Sequence, residues 1–149
     1  MKIIIHIFVL LLVTTSCTDY GKHSTAQYLQ TEEFAKLNLP FSEAVIYGDL
    51  IYLSGQIGDN PETGELVGGG IVAETNQAML NIKRVLEQNG SSLDKVIKCT
   101  CMLADIEEWG QMSATYIAFF PNHKPARSAF GATGLALNAR VEIECLAYR

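Results

Sequence analysis

The stretch just before the C-terminal Arg149 constrains the fold most. From Arg140 to Tyr148, Val141, Ile143, Cys145 and Ala147 alternate with Arg140, Glu142, Glu144, Leu146 and Tyr148. A period of two puts the first set on one face of a strand and the second on the other, so this is a strand whose apolar face must be covered. A cover lies upstream: Ala78, Met79, Ile82, Val85 and Leu86 form one stripe of a helix predicted from about Ile71 to Gln88, which Gly90 stops. Ala44 to Tyr47 and Leu50 to Ser54 flank a Gly48-Asp49 turn and predict a hairpin. Asp59 to Gly64 is a loop by composition, and Lys95 to Leu103 a further strand. Asp105 and Glu108 are spaced as a capping pair for a second helix ending near Phe120, before Pro121, and Arg127 to Phe130 is a strand. The order β-β-α-β-α-β-β, with no internal linker, predicts an α+β domain with two helices on one face of a mixed sheet. Nothing in the chain is left to cover the other face, and identical subunits are the natural cover.

A chain of 149 residues suits one domain and is too short for two. Its 48% hydrophobic content is unevenly spread, because Ile3 to Val13 is apolar apart from His6. With Lys2 before it and Thr14-Thr15-Ser16-Cys17 after it, this run reads as an export signal. As a helix it would rise roughly 16 Å, about half of the ~30 Å hydrocarbon layer, which disfavours a stable span. The segment resembles a bacterial lipoprotein signal, although Thr14 stands where such signals usually carry leucine. The expectation is a signal over 1–17, lipid on Cys17, a polar tether over 18–38 and a domain over 39–149. Such a chain is exported and anchored through its lipid to a bacterial membrane, facing the periplasm or exterior. An ordinary secretion signal and an uncleaved anchor are the alternatives. The formal charge of −5 argues against a nucleic-acid partner, which needs surplus Lys and Arg.

If Cys17 carries lipid, Cys99, Cys101 and Cys145 remain. Cys99 and Cys101 fall side by side on one strand face, where disulfide geometry is poor, so the expectation is buried thiols acting as small hydrophobes. No metal site is expected: His6 lies in the signal, His23 in the tether and His123 stands alone in the domain. Gly68-Gly69-Gly70 precedes a helix but lacks the spacings of a phosphate-binding loop, and reads as flexible loop. From pattern alone, Arg127 is a surface charge and Glu142 belongs to a solvated acidic face.

Several motifs together change that reading. Ser54-Gly55-Gln56-Ile57, Pro61-Glu62-Thr63-Gly64, Asn81, Gly90-Ser91-Ser92-Leu93-Asp94 and Pro125 to Ala147 resemble, in order and spacing, the Rid (YjgF) family of reactive-intermediate deaminases, over about Leu39 to Arg149. The resemblance implies a chorismate-mutase-like α+β subunit in a homotrimer with clefts between subunits. It also implies hydrolysis of small carboxylate-bearing enamines and imines, such as 2-aminoacrylate and 2-iminobutanoate, to 2-oxo acids and ammonia without metal or organic cofactor. The arginine of the P-A-R-S motif falls on Arg127, whose planar guanidinium suits a carboxylate. The first glutamate of V-E-I-E falls on Glu142, implied to hold the attacking water and manage protons. Ser54, Gly55, Ser128 and Ala129 would line the pocket. Phe41 replaces a pocket tyrosine common in the family, Ser113 replaces an asparagine ahead of Tyr116, Ala129 a cysteine of some members, and Leu135-Ala136 stands for Leu-Pro. Phe41 and Ser113 point to an altered substrate preference. The alternative function is a non-catalytic ligand-binding or chaperone-like member using the same cleft. The acidic charge and export signal disfavour the ribonuclease or translation-inhibitor activity also attached to the family.

Overall fold

Residues 25–149 are described by the computed structural model of the chain, so the predicted signal, Cys17 and the start of the predicted tether lie outside the described residues. The elements are β1 (Gln27–Leu29), α1 (Glu32–Lys36), β2 (Ala44–Tyr47), β3 (Leu50–Leu53), β4 (Gln56–Ile57), α2 (Gly70–Gln88), β5 (Val96–Leu103), α3 (Trp109–Ile117), β6 (Ala126–Gly131) and β7 (Val141–Tyr148). The alternating C-terminal strand, β7, lies inside the sheet. The order is β1-β2-β3-β7-β5-β6, with β4 also on β7, and the parallel β5–β6 pair makes the sheet mixed.

Alternation in β7 works as the sequence predicts. Val141, Ile143, Cys145 and Ala147 are buried, with Cys99, Cys101 and Leu103 of β5, under Ala78, Met79, Ile82, Val85 and Leu86 of α2 and Met112 and Tyr116 of α3. α2 ends in a Schellman turn: the Ser91 N–H donates to Leu86 O at 2.9 Å and that of Gly90, at φ 76°, to Glu87 O at 3.3 Å. The opposite sheet face is open, and Tyr52, Phe130 and Tyr148 are each more than two-fifths exposed there.

The structure departs from expectation in four places, the first being the short β4 on β7, which the predicted order lacks. β1 and α1 arise within the stretch read as tether: Gln27 pairs with Ile46, and the Thr31 hydroxyl caps α1 by accepting from Phe34 N at 3.2 Å. Elements of three and five residues are too short for a periodicity to show. Asp105 does cap, accepting from Glu107 N at 2.9 Å, but it caps a 3₁₀ turn, while Glu108 forks the Arg140 guanidinium and does not close a capping box. Finally, Cys99 and Cys145 form a disulfide and only Cys101 keeps the expected buried thiol among the described residues. The partner of Cys99 lies on another strand and not at Cys101 on its own. Antiparallel register sets Cys145 of β7 directly across from Cys99.

A polar knot holds the segment after β4. Asn81, 3% exposed, donates to Ile57 O at 3.2 Å, Asp59 O at 3.0 Å and the Asp59 carboxylate at 3.1 Å, and its own carbonyl accepts from Gln77 at 2.9 Å. The knot ties the end of β4 and the residues just after it to α2.

Candidate active site

Glu142 leaves β7 on the open face, opposite Ile57 of β4. Its carboxyl rests on Gly55: a Cβ there would overlap Oε1 outright and stand 2.7 Å from Cδ and 2.8 Å from Cγ. Glycine at 55 thus leaves room for the carboxyl, which any side chain there would displace. Burial pushes the Glu142 pKa above the ordinary carboxylate range, and repulsion from Glu144 adds to it. Such a carboxyl takes and returns a proton closer to neutrality than a solvated one. Ser54, half-buried, donates from its hydroxyl to Ser42 O at 2.7 Å, and its N–H donates to Glu43 O at 3.1 Å. Glu43 is itself buried and accepts from Arg84 Nη2 at 3.2 Å. Phe41, next to Ser42, is 47% exposed and meets Phe34 edge-on, with centroids 5.9 Å apart.

Arg127 occupies different ground. It is in register with Cys99, whose side chain faces the helices, so on the edge strand β6 it too turns to the helix face. Its guanidinium carbon lies 5.3 Å from the Trp109 ring centroid and 5.0 Å from that of Tyr116, both on α3. Among the described residues Arg127 has no acidic partner within ion-pair distance. Beside it opens a cleft of about 420 Å³ lined by Ser113, Tyr116, Ile117, Lys124 and Pro125. The Ser113 and Tyr116 hydroxyl oxygens are buried there without a hydrogen-bond partner. Burial raises the Tyr116 pKa, Cys101 adds to the rise and Arg127 opposes it, so the phenol keeps its proton. Ala129 turns the same way and packs partly buried on the core, whereas Ser128 opens on the other face and accepts from Lys98 Nζ at 2.7 Å.

The predicted residues thus fall into two groups. Glu142, Gly55 and Ser54, with Phe41 near Ser54 and Ser128 on the same open face, form one; Arg127, Ser113 and Ala129 form the other. Glu142 is opposite Met102 and Met102 opposite Phe130, so Arg127 lies two strand spacings across and three residues along. That is roughly 14 Å between Cα atoms, and the two side chains leave opposite faces. No small acid bridges them within one chain. Trp109 is the functional candidate that sequence reading passed over. Its seven-residue spacing from Tyr116 places both rings on one helix face, but nothing local shows that an arginine from β6 lies against them.

The sequence profile described as Endoribonuclease L-PSP matches residues 32–149. A goat (Capra hircus) protein named 2-iminobutanoate/2-iminopropanoate deaminase is 41% identical over 72% of this chain and 79% of its own. A RutC family protein of Pyrococcus abyssi is 39% identical over 80% of this chain and 94% of its own. Among solved structures, a Rid-family protein of unknown function from Yersinia pestis superposes with a TM-score of 0.78 at 34% identity, covering 84% of this chain and all of that one.

Proposed function

The chain belongs to the Rid (YjgF, L-PSP) family, and from that premise we propose that it hydrolyses enamines and imines of the 2-aminoacrylate and 2-iminobutanoate type to 2-oxo acids and ammonia, in clefts between the subunits of a homotrimer. One observation supports the reading: within one chain Arg127 and Glu142 sit on opposite faces of the sheet, so a site that uses both needs a second copy. A neighbouring copy completes the site, so that Arg127 of one subunit meets Glu142 of the next. Arg127 grips the substrate carboxylate through two parallel charge-assisted hydrogen bonds. Glu142 holds a water and takes its proton as the oxygen adds to the imine carbon. The proton then goes to the nitrogen to give an amino alcohol, Glu142 passes the hydroxyl proton on to the same nitrogen, the C–N bond breaks, ammonia leaves and the carbonyl of the 2-oxo acid forms. An enamine first takes a proton at its β carbon to become the imine.

The chain lacking residues 1–17 should speed ammonia release from 2-aminoacrylate made in situ by a pyridoxal enzyme. Arg127→Ala and Glu142→Ala should each abolish the effect. Mixed one to one and allowed to exchange subunits, the two inactive variants should regain about a quarter of wild-type activity, since one interface in four pairs an intact arginine with an intact glutamate. No recovery would place the site within one copy, and equal ammonia release with and without protein across several imino acids would end the deaminase reading. Phe41, which offers no hydroxyl, and the unpartnered Ser113 favour a second reading, binding of small 2-oxo or imino acids without turnover.

We also propose that residues 1–17 are an export signal with lipid on Cys17, leaving the domain outside the cytoplasm. The Cys99–Cys145 disulfide supports this, because such bonds persist in oxidising compartments. Cys17→Ala should move the protein from the membrane to the soluble fraction; continued membrane binding would remove lipid as the anchor.

A further inference from the structure

We propose that Trp109, together with Tyr116, is a positioning residue that presets Arg127 to receive a carboxylate, and that its indole reports when the arginine is occupied. The inference rests on the deaminase reading for its kinetic test alone; the binding test stands without it. Arginine has several rotatable bonds, and an arginine that must fork a carboxylate has to be held without spending its donors. An Asp or Glu partner would hold it but would occupy the fork and cancel the charge. Aromatic rings interact with the guanidinium and leave its in-plane N–H groups available. The molecule has this arrangement: ring centroids at 5.3 and 5.0 Å, no acid within ion-pair distance among the described residues, and an adjoining cleft. Tyr116 is buried in the core, while Trp109, 44% exposed, stands where it can be changed without opening the core. Trp109 is also the only tryptophan in the sequence, so intrinsic fluorescence is read from this ring alone.

The test uses the chain lacking residues 1–17, with 2-oxobutanoate as the carboxylate probe. Titration should give a saturable change in tryptophan fluorescence that Arg127→Ala abolishes. Trp109→Ala should raise KM for the imine about tenfold while kcat falls less than about threefold, and Trp109→Phe, which keeps a ring, should hold KM within about threefold of wild type. Thermal midpoints of both variants should stay near the wild-type value, separating positioning from folding. A fluorescence change that persists in Arg127→Ala, an unaltered KM in Trp109→Ala, or equal impairment of the Phe and Ala variants would overturn the proposal. If the wild type releases no ammonia, the deaminase reading fails on its own. Calorimetric Kd values for 2-oxobutanoate in the two Trp109 variants then take the place of KM, with the same expected ratios.

Discussion

Replacing Gly55 by alanine should disable catalysis while leaving the fold nearly untouched. Gly55 is not among the glycines with positive φ, so its backbone accepts an alanine, and the adjoining β4 pairing with β7 survives. The new methyl would lie 2.7 Å from Glu142 Cδ, where ordinary contact begins at 3.4 Å, and would overlap Oε1. The carboxyl carbon must therefore retreat by at least about 0.7 Å and the oxygen by more, a displacement near the ~1 Å at which misplaced groups cost about a hundredfold. The expected loss in kcat/KM is about a hundredfold, or ~2.7 kcal/mol of transition-state stabilisation. The fold should lose no more than about 1 kcal/mol, because a carboxyl whose pKa is raised by burial loses little by moving toward water. KM should change less than kcat, since the grip on the substrate carboxylate is proposed for Arg127 of the neighbouring copy and not for Gly55 or Glu142. Ammonia release and urea unfolding, measured on the same preparation, decide the matter. A Gly55→Ala variant with wild-type kcat/KM would refute the role given to the Glu142 carboxyl, and a loss matched by several kcal/mol of destabilisation would mark Gly55 as structural only.

Glu142→Gln bears on the same residue through pH. A raised pKa means the folded state binds this proton more tightly than the unfolded one, so the stability it contributes is complete below the ordinary value of 4.5 and is lost as pH rises through the folded pKa. The Gln variant should therefore gain on wild type between pH 4 and pH 7 in urea midpoints; a growing deficit would contradict the assigned cause. Asn81→Ala removes the three hydrogen bonds that Asn81 donates to Ile57 and Asp59 at a nearly fully buried position, and should cost about 2–4 kcal/mol in chemical unfolding. Unfolded without reductant, residues 25–149 should present one reactive thiol, and three after reduction; three beforehand would rule out the Cys99–Cys145 bond. Breaking that bond by Cys99→Ala with Cys145→Ala should lower unfolding free energy by up to about 4 kcal/mol for a separation of 46 residues. In the native protein at pH 8, Cys101 should resist alkylation, because burial pushes its pKa to about 11 despite the opposing charges of Arg127 and Lys98.

Features written in short-range periodicity were legible from residue order. The alternation in β7, the α2 stripe, the Gly90 stop and the turn at Gly48-Asp49 each depend on residues within two turns or one strand of each other, and each recurs in the structure nearly as read. The candidate residues were legible too, but through motif resemblance: Arg127 and Glu142 viewed as a lone basic and a lone acidic side chain carry no signal that separates them from surface charges.

What residue order could not convey was which distant segments meet. Strand register sets Cys145 across from Cys99, 46 residues away, and chain packing gives Glu108 to Arg140 where a local capping pair was expected. α3 lays Trp109 and Tyr116 against an arginine of another element. The separation of Arg127 from Glu142 has the same origin. Each strand's own alternation says only which neighbours share a face; which of the two faces meets the helices follows from burying β5, β6 and β7 together beneath α2 and α3. Hydrophobic burial chose the faces, and in doing so it left the two chemical halves of the candidate site turned away from each other within a single chain.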